Sequence, residues 1–389
     1  MEESDILITC PKACPQYLAE ELVDLGYAVA SEEPAGVFVK GTMDDCMDLN
    51  LNLRTGLRVL WKLGNFKARN ADRFYAQAVK LPWEEWIPSD GYVSIVSSVR
   101  NETIRNTQFA NLKLKDALVD RMRDKTGDRP NTGNDSDKAM VFLYWHEEEV
   151  YIYLDTSGVP LSNRGYRVSP WKAPMRENLA ASVLWATQWD GQSALVNPMC
   201  GSGTLAIEAA LIATSRSPGA WRKNFAFMHL EGFDPDRFEA MQAECREVGE
   251  QSLDFPIVAS DIDPQAIEAA RRNAEIAGVD HLIEFSVCDF RDTRLPEEPG
   301  VIVFNPEYGD RLGKEKDLLE TYQGIGDFFK QRAAGYWGYV FTGNLQLGKR
   351  VGLKTKRKIE FYNGPIECRL LEYELYSGTR DKKKLAEAD

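Results

Sequence analysis

Histidine is nearly absent from this chain of 389 residues, which carries only His146, His229 and His281. Its seven cysteines are odd in number and include no Cys-x-x-C pair. These absences argue against a zinc site, metal catalysis and a disulfide framework, so no metal is expected. Long apolar runs are missing too: none approaches the roughly 18 residues that a membrane span requires. The opening Met1-Glu-Glu-Ser-Asp5 is no basic leader. A cytoplasmic protein without membrane attachment is the expectation. Internal repeats and low-complexity tracts are lacking, and only the charged tail from Arg380 to Lys384 reads as frayed.

Excess positive charge is also missing. Lys and Arg number 47 against 60 Asp and Glu, a net charge of −13, whereas nucleic-acid binding draws much of its affinity from phosphate neutralisation. Location outweighs the sum. Acids crowd into Asp44 to Asp48, Glu147 to Glu149 and Glu231 to Glu250, while Arg100 to Arg129 and Lys349 to Lys358 are basic. Either basic run alone is equally well explained as a solvated face; two flanking one pocket favour RNA.

With 43% hydrophobic residues the chain can bury two or three cores. Three parts are expected, residues 1–62, 63–160 and 161–389. The first alternates strand (Ile6 to Thr9), helix (Gln16 to Leu25), strand (Gly36 to Lys40) and helix (Met43 to Leu53), a small α+β unit. The second carries strands at Tyr92 to Val99 and Met140 to His146, with a hairpin return at Val150 to Leu154. Between them Ala110, Leu114, Leu118 and Met122 mark the apolar line of a helix, with Lys113, Lys115, Arg121 and Arg123 off that line. The turn into this helix, Thr103-Ile-Arg-Asn-Thr107, gathers hydroxyls, amides and a guanidinium at a helix start, which can hold phosphate. Simple N-capping by Asn101 or Thr103 is the competing use. From Asp155 to Pro174 the chain is rich in Gly, Pro, Ser and Arg and reads as a linker.

The third part holds the most informative segments. Ser193 to Val196 suits a buried strand, Gly201 and Gly203 permit a tight turn, and Thr204 to Ala213 reads as a helix. The spacing Gly201-x-Gly203-x-x-Ala206 satisfies a dinucleotide fingerprint, but that fingerprint wants an acid about 20 positions later. Here that stretch reads Ala220-Trp-Arg-Lys-Asn-Phe225. The next suitable carboxylate closes Ile257-Val-Ala-Ser-Asp261, after an insertion from about Ser215 to Asp254. A nucleoside without a pyrophosphate fits that arrangement. Asp263 as N-cap, Pro264 in the first turn and Gly278 as stop bound the following helix. Asp261 therefore stands at a strand's carboxyl end, where open α/β sheets bind ligands. Ile283 to Val287 ends at Cys288-Asp289-Phe290, and Val301 to Phe304 ends at Asn305-Pro-Glu-Tyr308. Four strands deliver polar residues to one edge.

In this order the segments resemble class I S-adenosylmethionine-dependent methyltransferases, specifically the THUMP-containing enzymes that methylate guanine N2 in large-subunit ribosomal RNA. The resemblance covers nearly the whole chain, through Asn101-Glu-Thr-Ile-Arg-Asn106, Arg164-Gly-Tyr-Arg167, Ala173-Pro-Met-Arg-Glu-Asn-Leu179, Asn197 to Ala210, Ser260-Asp-Ile-Asp263, Asn305 to Gly313 and Tyr362-Asn-Gly-Pro-Ile-Glu-Cys-Arg369. It implies an α/β fold. A Rossmann-like methyltransferase domain with a seven-stranded, mostly parallel sheet would occupy 161–389, after a ferredoxin-like module (1–62) and a THUMP RNA-binding domain (63–160). Some relatives fuse a second methyltransferase after this domain; the chain stops before one, so a single methylation activity is expected.

The resemblance also implies S-adenosylmethionine as cofactor. Gly201 and Gly203 would pass beneath its methionine part, in a loop that includes Asn197, Pro198, Cys200 and Thr204. Asp261 would accept from the ribose hydroxyls and Asp289 from the adenine amino group, with Ile262 and Phe290 packing on the adenine faces. Asn178 belongs to a segment that covers the cofactor. Turn-capping by Asp289 and core packing by Ile262, Met199 and Cys200 are the ordinary alternatives. The implied partner is RNA, either 23S ribosomal RNA or a large-subunit assembly intermediate, gripped by shape and backbone. Candidates for that grip are Thr103, Arg105, Asn106 and Lys113, then Arg164 and Arg167, whose segment serves domain docking equally well, and Lys354, Lys356, Arg357 and Lys358.

A sulfonium methyl is already activated, so the remaining work is to align an amine lone pair and exclude water. The exocyclic amine of guanine or adenine has its lone pair delocalised into the ring, and acceptors on its two hydrogens favour a pyramidal nitrogen. The Asn305 side-chain oxygen and the Pro306 carbonyl suit that task, and Tyr308 offers a ring for the extruded base. Alone, Asn-Pro-x-Tyr is also an ordinary turn after a strand. Glu307 stands where the family usually has a second proline. It is either a neutral turn residue or an acceptor for the N1 and N2 donors of guanine that repels adenine N1. The expected function is methylation of a guanine N2 in 23S ribosomal RNA. Transfer RNA guanine-N2 methylation, DNA adenine-N6 methylation and a non-catalytic assembly role are the alternatives.

Overall fold

Apolar residues at alternate positions build the strands of this chain, and those spaced by three and four build its helices. The computed structural model describes residues 3–104, 106–169, 175–247, 249, 252–308 and 315–376. Its first elements are β1 (Ser4–Thr9), α1 (Pro15–Asp24), β2 (Val29–Glu33), β3 (Gly36–Gly41), α2 (Met43–Asn52), β4 (Arg58–Lys67), α3 (Ala71–Ala78), β5 (Tyr92–Arg100), α4 (Thr107–Thr126), β6 (Asn131–Gly133), β7 (Ala139–His146) and β8 (Glu149–Asp155). Then come α5 (Glu177–Ala186), β9 (Leu195–Pro198), α6 (Thr204–Ala213), α7 (Pro235–Glu247), β10 (Ile257–Asp261), α8 (Pro264–Ala277), β11 (Ile283–Val287) and β12 (Val301–Phe304). The last are α9 (Glu315–Arg332), β13 (Trp337–Thr342), α10 (Leu345–Gly348), β14 (Lys358–Asn363) and β15 (Ile366–Glu374). Two compact units result, Met1–Arg164 with Ser217–Val248, and Gly165–Arg216 with Gly249–Asp389.

In the first unit all strands share one eight-stranded sheet, ordered β2-β3-β1-β4-β8-β7-β5-β6. The two parts expected before residue 160 are thus continuous through β4 and β8, with Leu60 opposite Asp155. Ile6, Ile8, Val39, Val59, Val141, Trp145 and Ile152 are buried along the sheet, and α4 buries the predicted line Ala110, Leu114, Leu118 and Met122 completely. Each buried Val, Ile, Leu or Met among these contributes roughly 1.5–3 kcal/mol of burial free energy. Asp155 is fully buried, ion-paired with Arg58, and accepts the N–H groups of Ser157 and Gly158.

The inserted segment belongs to this unit. Gly219 donates its N–H to the Leu51 carbonyl at 2.8 Å, and a Cβ on it would lie 2.7 Å from the Asn50 carbonyl oxygen. Arg222 donates to the carbonyls of Ser157 and Val159. The division by sequence leaves residues 217–248 in the third part because nothing local marks which sheet they pack on.

The second unit is a seven-stranded sheet, ordered β11-β10-β9-β12-β13-β15-β14. Neighbours from β11 to β13 are parallel, and β15 runs antiparallel to both β13 and β14. The class I methyltransferase sheet has this mostly parallel form, as expected. Its core includes Ile302, Phe304, Phe328, Phe329, Val340, Leu371 and Tyr373. The chain passes from β9 outward to β11, then returns to β12 beside β9 and continues the other way. That reversal places a topological switch point between β9 and β12, where such sheets open a ligand crevice at the carboxyl ends.

Candidate active site

Asn197, on β9 at the switch point, is buried; its Nδ2 donates to the Val303 carbonyl at 2.8 Å, tying β9 to β12. Its Oδ1 has no hydrogen-bond partner among the described residues. Beyond Pro198 the chain turns sharply, with left-handed φ values of 56° at Met199, 55° at Gly201 and 81° at Gly203. The turn is closed by Gly203 N–H to the Cys200 carbonyl, and anchored to β10 by Cys200 N–H to the Ser260 carbonyl, both 2.9 Å. Glycine is required at 203 twice over: for its φ, and because a Cβ would lie 2.9 Å from that of Ala270. Gly203 is the N-cap of α6 and brings no capping side chain, which leaves the first-turn amides from Thr204 onward to a ligand or water.

Asp261 ends β10 at the same edge. Its Oδ2 accepts the Gly201 N–H and its Oδ1 the Asp263 N–H, each at 3.0 Å. A carboxylate offers about four acceptor positions, so capacity for two hydroxyls remains. Ile262 follows with 69% of its surface exposed, so it is no core residue, and Val287, the register partner of Asp261, is 51% exposed. Asp289 caps its own turn through Arg291 N–H at 2.8 Å and pairs with the Arg291 guanidinium at 2.9 Å. Phe290 departs from the expectation of a ligand-facing ring. It is buried edge-on against Phe304 and Phe328 and covered by the Arg291 guanidinium, which makes it a core residue. Burial, aided by nearby Asp261, holds the Cys200 thiol well above its usual range, so it stays neutral and packs.

Asn178, near the start of α5, is fully buried, and neither atom of its amide has a partner among the described residues. Two orphaned polar atoms in one buried side chain cost about 1–3 kcal/mol each unless a ligand or water satisfies them. Residues 170–174, including Ala173 and Pro174 of the same motif, lie outside the described residues.

Sequence reasoning missed Asn273. Buried on α8, it accepts the N–H groups of Val168 (3.1 Å) and Ser169 (3.0 Å) and donates to the carbonyls of Ser169 and Ser202, both 3.1 Å. It therefore ties the segment before α5 to the glycine loop. A polar residue between Ala270 and Ala274 on a buried face was the available signal. Tyr166 and Arg167 fasten the same segment, Tyr166 by its hydroxyl to Glu208 at 2.9 Å and Arg167 to Glu177 at 3.1 Å.

Past β12, the Asn305 Oδ1 is buried without a partner among the described residues. Pro306 is buried and Glu307 exposed. The Tyr322 hydroxyl, bonded to Thr342 Oγ1 at 2.7 Å, donates at 3.5 Å to the Glu307 carbonyl. Tyr308 lies edge-on to Phe341, with 6.0 Å between ring centres, and its hydroxyl accepts from Asn363 Nδ2 at 2.9 Å. Burial raises the Tyr308 phenol above its ordinary range, so it stays protonated. The motif's continuation, residues 309–313, lies outside the described residues.

The basic candidates divide. Arg105 lies outside the described residues. Asn106 is the N-cap of α4, and Asn101 accepts from the N–H groups of Thr103 and Ile104, so the capping use of this turn is present. Thr103 and Asn106 are exposed, and the Lys113 ammonium lies 5.8 Å over the Phe109 ring. Arg164 donates to the carbonyls of Arg54 and Leu161. In the second unit Lys356 lies 4.2 Å over the Trp337 ring, and Arg357 holds buried Glu372 at 2.8 Å. β14 carries the chain from Lys358 to Asn363, and only Asn363 is at the Tyr308 edge. Six strand residues span about 20 Å, so Lys356 to Lys358 stand at the opposite edge of the sheet and not beside the pocket. Among the described residues no cluster of His, Cys, Asp or Glu is placed to hold a metal, and no helix is long and apolar enough to cross a membrane.

Comparison with known proteins gives three matches along the chain: an RlmL ferredoxin-like domain over residues 5–60, a THUMP domain over 68–155 and an RMKL-like methyltransferase domain over 164–372. The chain is 37% identical, over 94% of its length, to the ribosomal RNA large subunit methyltransferase K/L of Syntrophotalea carbinolica, and spans 53% of that protein. It thus covers about half the length of such relatives. A putative RNA methyltransferase of Synechocystis is 34% identical over 92% of this chain and 93% of its own. A putative methyltransferase solved in complex with SAH superposes with a TM-score of 0.87 over 98% of this chain and 100% of its own, at 25% identity.

Proposed function

Since the chain belongs to the family of RMKL-like, S-adenosylmethionine-dependent methyltransferases, we propose that it methylates the exocyclic N2 amine of a guanine in 23S ribosomal RNA. The observation that carries this reading is the buried Oδ1 of Asn305 at the carboxyl edge of β12, which has no partner among the described residues. A buried carbonyl oxygen with no donor costs free energy in the resting protein, and an amine N–H supplied by a flipped base relieves it. The Pro306 carbonyl takes the second N–H. With both hydrogens held, the nitrogen pyramidalises and its lone pair is released toward the methyl group. Tyr308 stacks on the base.

The cofactor residues fit the same scheme. Asp261 keeps acceptor capacity for the ribose hydroxyls beyond its two backbone bonds. Exposed Ile262 offers an adenine face, and Asp289 keeps acceptor capacity for an adenine amino group. The buried amide of Asn178, without a partner among the described residues, suits the charged end of the methionine part. Bound there, the sulfonium supplies an activated methyl, and the proton lost by the amine goes to water. In the first unit, exposed Thr103 and Asn106 with Lys113 provide backbone contacts to RNA.

The test is transfer of labelled methyl from S-adenosylmethionine to total RNA and DNA from a strain lacking the gene, followed by nucleoside analysis. N2-methylguanosine in large-subunit RNA supports the proposal; label in transfer RNA or in N6-methyladenine overturns it. Glu307 is proposed to select guanine by accepting its N1–H, the donor left once both N2 hydrogens are held, whereas adenine N1 is an acceptor and is repelled. Unchanged base preference in Glu307→Pro removes that role.

A further inference from the structure

We infer that Asn363 and Gly343 are positioning residues for the base pocket, holding the Tyr308 ring at the angle at which it stacks on the flipped base. The inference rests on the reading of Tyr308 as the stacking surface and adds the hairpin that sets it. Three elements converge on this ring: the turn after β12 that carries it, the end of β13, and the turn between β14 and β15.

The tip of the ring is held by hairpin chemistry. Asn363 and Ile366 are the last paired residues of β14 and β15, so Gly364 and Pro365 alone make the turn, with Gly364 at a left-handed φ of 62°. A two-residue turn fixes strand register, and so fixes where the Asn363 side chain projects. Its Nδ2 donates to the Tyr308 hydroxyl at 2.9 Å. Cys368, on β15 and buried, donates its thiol to the Ile366 carbonyl at 3.6 Å, and burial raises that thiol above the usual range, so it stays neutral.

The edge of the ring is held by an absence of side chain. A Cβ on Gly343 would lie 2.6 Å from Tyr308 Cδ2 and 2.8 Å from Cε2. Any other residue there drives the ring out of its slot. Phe341, two residues earlier, meets the ring from the side. Tip, edge and flank are thus set by residues outside the Asn-Pro-Glu-Tyr segment. A phenyl ring stacks as well as a phenol, so stacking itself does not need the hydroxyl. Its use here is as the handle by which Asn363 orients the ring, and misorientation of a reacting base by a fraction of an ångström is costly to the near-attack geometry.

The experiment is a double-mutant cycle on the full chain, with protein-free large-subunit ribosomal RNA from a strain lacking the gene as substrate. It reads kcat, the KM for RNA, and the affinity for S-adenosylhomocysteine by calorimetry. Asn363→Ala and Tyr308→Phe are expected each to lower kcat about tenfold, the worth of one buried hydrogen bond. The double variant should be no worse than either single, and S-adenosylhomocysteine affinity should be unchanged in all three. Gly343→Val should lower kcat further, again with cofactor affinity intact. Tyr308→Phe deletes the same bond without touching the hairpin, so the cycle stays informative if Asn363→Ala fails to fold. Losses that multiply in the double variant, or a Tyr308→Phe enzyme with full kcat, overturn the inference. Tyr308→Ala with full kcat overturns instead the reading of Tyr308 on which it rests.

Discussion

The Oδ2 of Asp261 accepts the backbone N–H of Gly201 at 3.0 Å, so the residue proposed to hold the ribose also shapes the loop proposed to pass beneath the methionine part. Replacing one carboxylate oxygen by an NH2 group confronts a backbone donor with another donor. Asp261→Asn is therefore expected to weaken S-adenosylhomocysteine binding by about 10- to 100-fold, the worth of one charge-assisted hydrogen bond. Calorimetry checks this, and unchanged affinity takes Asp261 out of the cofactor site.

Asn305 should act on the chemical step and not on cofactor binding. Asn305→Ala removes an acceptor aimed where the amine hydrogens are proposed to sit, and losing one preorganised group of this kind lowers kcat by about 10²–10³-fold. Because the Oδ1 has no partner among the described residues, its removal should not reduce thermal stability. A variant that loses activity and melts early would indicate a structural role instead.

How far the sequence reveals this arrangement depends on the range of each interaction. α8 is legible from local signals, Asp263 as N-cap, Pro264 and Gly278 as stop, and α4 from four alanine, leucine and methionine positions. Asn197, Asp261 and Asn305 are legible as strand-end residues because the strands before them are short apolar runs. β4 escapes because Gly64 and Asn65 dilute its alternation and the register shifts between Lys62 and Gly64. Asn363 and Asn273 escape because their partners lie 55 and 71 positions away. Phe290 is misjudged because a phenylalanine after a strand reads the same whether it faces a ligand or the core.

The glycine loop should tolerate no side chain at 203. Gly203→Ala must adopt a left-handed φ of 81° with its Cβ 2.9 Å from that of Ala270. The expected cost is about 1–3 kcal/mol of stability, with a weaker grip on S-adenosylhomocysteine. Urea unfolding with and without that ligand separates the two effects.

The basic segment before β14 should split by function under mutation. Arg357→Ala leaves Glu372, 2% exposed, without its ion-pair partner, so its main effect should be lowered stability. Lys354 and Lys358 are exposed, and if either contacts phosphate, its replacement by alanine lowers RNA affinity and reduces the slope of log affinity against log salt by about one. Filter binding across a salt series, beside thermal melts, assigns each residue.

His146 and His229 give the first unit a dependence on mild acid. Burial lowers both pKa values, with help from Arg100 at His146 and Lys138 at His229. His146 stacks on Tyr144 at 4.0 Å between ring centres, and His229 Nε2 bonds Asn224 Oδ1 at 2.8 Å. Below about pH 6.5 the unfolded chain takes up protons on these rings before the folded chain does. Stability from the two sites is therefore complete above that pH and is lost as pH falls through the lower folded values. Urea midpoints at pH 7.5 and 5.5 should differ less in His146→Phe, His229→Gln than in the wild type. An equal difference in both would mean that the acid sensitivity resides outside these two rings.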